Sequence, residues 1–195
     1  AEEEIICEPI DLPSHWPRIC AIDFGWDHPT ACVWVAWDRD SDIAYVYDSY
    51  SMSQETVPIH ASAINARGRW IPVMWPMDGR QADKGSGKSL TEQYRQESVN
   101  MTREHFSNAP SQGMKEGTGG NSVEAGVMEM LVRMQTKRLK IFKNQGKLME
   151  EMRMYHRKDG KIVPKHDDVI SAMRYCVMSL RKARVKNYSP TQLNS

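Results

Sequence analysis

Four aspartates stand where a chain can do metal chemistry. Asp23 ends the apolar run Arg18-Ile19-Cys20-Ala21-Ile22 and is followed by Phe24-Gly25. Asp78 follows a second apolar run, Ile71 to Trp75, through Pro76-Met77, and precedes Gly79. Asp167 and Asp168 open an amphipathic stretch that continues to about Lys182. One carboxylate cannot fill the octahedral oxygen cage of a divalent cation, so such groups act together. Strand ends on one edge of a sheet, facing the start of a helix, bring all four into one site. Like charges so placed repel unless cations neutralise them, which predicts bound Mg²⁺ or Mn²⁺. Two ions about 4 Å apart activate water and stabilise the leaving oxygen of an in-line phosphodiester displacement. Each acid also has a plainer reading. Asp23 and Asp78 can accept hydrogen bonds from turn amides, and Asp167 can be an N-cap with Asp168 favouring the helix dipole. On a helical wheel Asp168 lies nearer the buried stripe than Asp167, and spacing does not decide between them.

The elements that must position these acids read as an α/β chain. Arg18–Gly25 is bounded by Pro17 and a Gly-Trp-Asp-His-Pro turn cluster, as strands are. Thr30–Trp37 and Ile43–Tyr47 complete an antiparallel three-strand meander across the acidic turn 38–42. A helix is expected over about 55–66 and a strand over 71–75, starting at or just after Pro72. Ser89-Leu90-Thr91-Glu92 is a capping box opening a helix to about Glu97. Val99–Met101 is a short strand, and the glycine-rich stretch 107–122 a flexible loop or lid. A helix over about 123–137 turns Val127, Met130, Leu131 and Met134 inward. The strand 139–142, a helix over 145–156 and a hairpin turn at Lys158-Asp159-Gly160-Lys161 follow. The last helix buries Val169, Ala172, Met173, Cys176, Val177 and Leu180.

Composition bounds the class. The 195 residues suffice for one domain with a proper core. With 40% hydrophobic residues, a mean hydropathy of −0.62 and no run of eighteen apolar residues, a transmembrane span and a membrane partner are excluded. Cys7, Cys20, Cys32 and Cys176 lack CxxC spacing and read as reduced cysteines, not a zinc site. The net charge of +1 hides a gradient: residues 1–50 hold 11 acids and 2 bases, residues 133–186 hold 16 bases and 5 acids. That asymmetry favours a polyanion on the C-terminal half. The expected organisation is a linker over 1–17, a domain over 18–184 and a polar tail over 185–195.

Other motifs compete. Asp23-Phe24-Gly25 matches the kinase metal-binding triplet, but no glycine-rich loop, paired lysine strand or catalytic-loop Asp precedes it. Ala82 to Ser89 matches a relaxed Walker A pattern, which makes a P-loop NTPase a competing reading. Ala replaces the first glycine, and no later strand ends in a suitable Asp. The histidines show no metal-ligand spacing. A non-catalytic module that binds DNA or docks on a partner fits the basic half equally, because phosphate contacts need only Lys and Arg.

Ala21 to Gly25, Trp75 to Gly79, the Lys140-Ile141-Phe142 strand with its helix, and Asp159-Gly160-Lys161 leading to His166 through Tyr175 together resemble the nuclease domain of tailed-bacteriophage terminase large subunits. The resemblance covers roughly residues 18–182 and implies an RNase H-like fold with a central mixed sheet. It implies a two-metal endonuclease cutting concatemeric double-stranded viral DNA, with little sequence specificity, when packaging starts and ends. Asp23, Asp78 and Asp168, Asp167 or both are then the catalytic metal ligands. Arg80, Lys84, Lys88, Lys158, Lys161 and Lys165 are DNA-contact candidates. It further implies an ATPase domain in the same full-length chain, the portal protein and small terminase subunit as partners, and a place in the host cytoplasm rather than the mature virion. Junction resolvases of the same fold are a related alternative.

Overall fold

The computed structural model describes residues 2–107, 123–154, 156–158, 161–163 and 167–187. Its elements, in chain order, are α1 (Glu2–Ile5), β1 (Ile6–Cys7), β2 (Arg18–Asp23), β3 (Thr30–Asp38), β4 (Ile43–Met52), α2 (Val57–Asn65), β5 (Val73–Met74), α3 (Leu90–Gln96), α4 (Val123–Gln135), β6 (Leu139–Phe142), α5 (Gly146–Met154), β7 (His156–Lys158), β8 (Lys161–Val163) and α6 (Asp168–Met178). Short 3₁₀ turns occupy Met77–Arg80 and Leu180–Lys182.

Six strands form one mixed sheet in the order β1-β6-β4-β3-β2-β5. The expected meander is present: β2, β3 and β4 pair antiparallel. Parallel neighbours flank it, with β5 beside β2 and β6 beside β4. The expected hairpin forms β7 and β8. β2 and β3 are apolar at nearly every position because helices cover both faces of the sheet, which removes the alternation of a half-wet strand. Ile19, Ala21, Val33 and Val35 pack with Val169, Met173, Cys176 and Val177 of α6. Cys20, Ile22, Cys32 and Trp34 pack on the other face with Ala61, Ile64 and Tyr94 of α2 and α3.

Several boundaries differ from expectation. β4 runs five residues past Tyr47, through the polar Asp48-Ser49-Tyr50-Ser51, because β3 offers backbone partners as far as Thr30; a register shift between Trp34 and Val35 bends the pair. α2 begins at Val57 with Pro58 in its first turn, where the missing N–H costs nothing. α6 stops at Met178. Leu131 of α4 is exposed at 39%, whereas Val127 and Met130 are buried, so the inward stripe is narrower than expected. Stretch 108–122 lies outside the described residues. The segment expected as a linker contributes to the domain: Ile5 is buried, β1 pairs parallel with β6, and Trp16 stacks on Tyr45 at 5.1 Å. No helix among the described residues is long and apolar enough to cross a membrane.

The β3–β4 turn is tied to α4 by charge. Asp42, at φ 51, accepts from Trp37 Nε1 (2.9 Å), Arg133 Nη2 (3.0 Å) and Arg138 Nη1 (2.7 Å). The Arg133 side chain is 8% exposed, so its charge depends on this partner. Asp42→Ala also places alanine in the left-handed region. It is expected to cost about 2 kcal/mol and to lower Tm by about 5 °C, with an unchanged circular dichroism spectrum. Thermal melting checks this, and an unchanged Tm would show the network to be idle.

Candidate active site

The site follows from two registers. Parallel pairing sets Cys20 opposite Val73 and Ala21 opposite Met74, so Asp23 and the chain just past β5 leave the same edge of the sheet side by side. Asp78 sits there, in the 3₁₀ turn that follows Pro76. α6 runs antiparallel to β2. Its far end is pinned where Arg18 and Arg184 exchange backbone hydrogen bonds of 2.8 and 3.0 Å. Midway, Cys176 Sγ approaches the carbonyls of Val33 (3.3 Å) and Ile19 (3.9 Å). From Ile19 to Asp23 the strand climbs about 13 Å, and from Cys176 back to Asp168 the helix climbs about 12 Å. The helix N-terminus therefore arrives level with Asp23. Asp23 also shares the α6-facing side of β2 with Ile19 and Ala21, by the two-residue alternation.

The four acids are thus placed around one end of β2, near enough for Asp23 to feel the charge of the other three. The carboxyl of Asp23 is pushed up to about 7, first by burial and then by the negative charges of Asp168, Asp78 and Asp167, with His28 opposing. Burial also raises Asp78 and Asp167. Asp167 is the N-cap of α6, yet its side chain makes no capping hydrogen bond. The capping role allowed for it is done by Glu151 of α5, whose Oε2 accepts from Val169 N (2.9 Å) and Ile170 N (3.1 Å). Glu151 is 4% exposed, and burial pushes its carboxyl up to about 7. Among the described residues no three Asp, Glu, His or Cys side chains are drawn close enough to cage a metal ion. The acids ring the site without converging, as mutual repulsion favours. The nearby donors are carboxylate oxygens with one imidazole, a set that suits Mg²⁺ or Mn²⁺ better than thiophilic ions.

Loop packing fixes the two strand-end acids. Thr30 Oγ1 donates to Gly25 O (2.8 Å) and accepts from Gly25 N (3.1 Å), closing the turn after Asp23. A Cβ on Gly25 would strike the carbonyls of His28 and Pro29 and the His28 ring. That close approach lets His28 Nδ1 reach Asp168 Oδ1 at 3.0 Å. After Asp78, Thr91 Oγ1 donates to Gly79 O (2.9 Å), and a Cβ on Gly79 would lie 2.5 Å from Thr91 Oγ1 and 2.8 Å from Phe24 and Trp75 ring atoms. Gly25 and Gly79 are both required by crowding. Tyr175 forms another wall: its ring packs tilted against Phe106 at 4.7 Å, and its hydroxyl is pushed up to about 12 by burial and then by Asp23.

The basic residues are less gathered. Arg80 ends the 3₁₀ turn that holds Asp78 and is exposed, as are Lys84 and Lys88 on the following loop. Lys88 Nζ donates to Gln96 Oε1 at 3.2 Å. Lys158 and Lys161 end the facing strands of the β7–β8 hairpin, and Lys165 lies outside the described residues. The Walker-like loop is no phosphate cradle. Asp83 Oδ1 accepts from Gly85 N (3.1 Å) and Oδ2 from Ser86 Oγ (3.2 Å), so a carboxylate holds groups a phosphate needs. The strand before it is separated by a 3₁₀ turn.

A family model described as the terminase RNaseH-like domain matches residues 20–180. The chain belongs to that family. It is 40% identical over 185 residues to the terminase large subunit of Salmonella phage P22, covering 94% of this chain and 36% of that protein. The chain therefore spans about a third of that relative's length. Among solved structures, the nuclease domain of the P22 large terminase superposes with a TM-score of 0.83 at 39% identity, covering 95% of this chain and 92% of that one. The cobalt-bound large terminase nuclease of thermophilic phage G20c shares the fold at a TM-score of 0.59 and 15% identity, over 91% and 94% of the two chains. The RNase H-like fold expected from the sequence is thus the fold of this domain. His28 and Glu151 are the residues that sequence reasoning passed over.

The raised acids give a pH signature. The Asp23 carboxyl is pushed up to about 7 in the folded chain from about 4 when unfolded, so its contribution to stability is full below pH 4 and is lost as pH rises through 7. In EDTA, Asp23→Asn should melt with the wild type at pH 4 and higher than it at pH 8, by on the order of 5 °C. Equal melting at pH 8 would show that the crowding carries no free energy.

Proposed function

We propose that this domain is a divalent-metal-dependent endonuclease that cuts concatemeric double-stranded viral DNA as packaging begins and ends. The observation that carries it is the crowding of Asp23 by Asp168, Asp78 and Asp167 at one sheet edge. Family membership supports it, as does the nuclease named for the P22 relative. Asp23 and Asp78 are assigned as metal ligands, with Asp168, Asp167 or both completing the set. Two bound Mg²⁺ or Mn²⁺ ions would lower the pKa of a water and stabilise the departing oxygen of the phosphodiester.

The chain's own residues do the rest. Asp23 is held by a buried strand and Asp168 by a buried helix, so the carboxylates cannot retreat from one another, and a bound cation would offset the repulsion that Asp23 meets. Trp26, 56% exposed, and Arg80 stand on turns beside the acids, where a phosphate backbone approaches. Arg80, Lys84, Lys88, Lys158, Lys161 and Lys165 are assigned to backbone contacts, which carry no sequence information. Sequence-nonspecific cutting is expected, since nothing in the sequence resembles a base-reading helix. The share of the relative that this chain spans leaves room for a packaging ATPase in the same full-length protein, with portal and small subunit as partners and the host cytoplasm as the place of action.

The test is conversion of supercoiled plasmid to nicked and linear forms in Mn²⁺, Mg²⁺ and EDTA. Cutting should need a divalent ion and fall at least roughly 100-fold in folded Asp23→Asn and Asp78→Asn, the upper end of what losing outer-shell partners costs. Equal cutting by the variants, or none by the wild type with DNA binding intact, would make the acids structural and leave a DNA-binding module.

A further inference from the structure

The N-terminus of α6 solves a problem of divided duty. Its first amides have no partner within the helix, and an aspartate at the N-cap normally accepts from the second or third of them. Asp167 occupies that position, at φ −114 and ψ 19, and its side chain does not do so. Both amides instead converge on one oxygen of Glu151, 18 and 19 residues upstream on a different helix, at 2.9 and 3.1 Å. Glu151 is nine-tenths buried, one turn from the fully buried Leu148, so its backbone is anchored in the core.

This placement is costly unless something is gained. Three carboxylates, Glu151, Asp167 and Asp168, now crowd one helix end, where one would satisfy the amides and the dipole. Of the three, it is Glu151 that accepts from the Val169 and Ile170 amides. Asp167 makes no capping hydrogen bond to the helix, and Asp168 accepts from His28 at 3.0 Å. Glu151, Asp168, Pro29 and Lys147 line a cleft of about 330 Å³ beside the helix end.

We propose that Glu151 is the positioning residue of the metal centre: it caps α6 in place of Asp167, and so holds the helix end while leaving both aspartates to the cation. This rests on the metal-dependent reading above. Without Glu151, Asp167 is close enough in sequence to fold back onto the amides of its own helix, and the centre loses an oxygen and its fixed geometry while the helix survives.

Three forms are compared: wild type, Glu151→Gln, which keeps an acceptor oxygen, and Glu151→Ala. Hydrogen exchange at the Val169 and Ile170 amides reads the cap. Mn²⁺ titration, followed by the resonance of free Mn²⁺ and by plasmid cleavage well below Tm, reads the centre. Glu151→Ala should exchange these amides at least about tenfold faster, and need roughly 10–100-fold more Mn²⁺ for half-saturation, the range for outer-shell partners. Glu151→Gln should stay within about threefold of wild type in both. A Glu151→Ala variant that melts lower but takes up Mn²⁺ like the wild type would overturn the proposal. So would Glu151→Gln as impaired as Glu151→Ala, which would mean that charge and not capping matters. If the wild type neither binds Mn²⁺ nor cuts, the nuclease reading itself falls, while unchanged exchange in Glu151→Ala would separately refute the cap.

Discussion

Like charge held at close quarters is the constraint on which this domain turns. A carboxylate at the end of a buried strand must either keep its proton or find a cation, and Asp23 faces three other aspartates as well as burial. Nothing local gathers those acids. Asp23 and Asp78 arrive together because β5 pairs parallel with β2, and Asp168 joins because α6 lies antiparallel across the same strand with its Cys176 over Ile19 and Val33. Helices buried against both sheet faces make that arrangement stiff, so the repulsion is not relieved by movement.

The turns around the acids show how tightly the edge is built. Gly25 and Gly79 each leave room for a neighbour that a methyl group would displace, the first for His28 and Pro29, the second for Thr91, Phe24 and Trp75. Thr30 and Thr91 then tie the two glycines by hydroxyl-to-carbonyl bonds. On the far side, Glu151 takes the helix amides. The aspartates of the cluster are thereby carried on backbone that other residues secure.

Much of this was legible before any coordinates. The apolar runs bounded by Pro17, Pro72 and the Asp-Gly turns mark β2 and β5, and a 3.6-residue stripe from Val169 to Leu180 marks the buried face of α6. The four acids follow from those boundaries. What was not legible depends on distant partners. β1 is two residues long and exists only because β6, more than a hundred residues later, accepts it. β4 past Tyr47 is polar and has no strand signature without β3 beside it. Glu151 sits among charged and methionine residues on an amphipathic helix, where a glutamate looks solvated, and only packing against α6 reveals its partners. His28 lies in a turn whose path is set by the crowding at Gly25. Leu131 kept helical spacing but lies beyond the narrow stripe that α4 presents inward.

The central claim is that the aspartates at this sheet edge together hold divalent cations. The most direct measurement is anomalous scattering from crystals soaked in Mn²⁺ at pH 8, above the titration of Asp23. The account predicts peaks bounded by Asp23, Asp78 and Asp168, two of them about 4 Å apart once a phosphate is supplied. Ordered side chains with no peak beside Asp23 at saturating Mn²⁺ would contradict it.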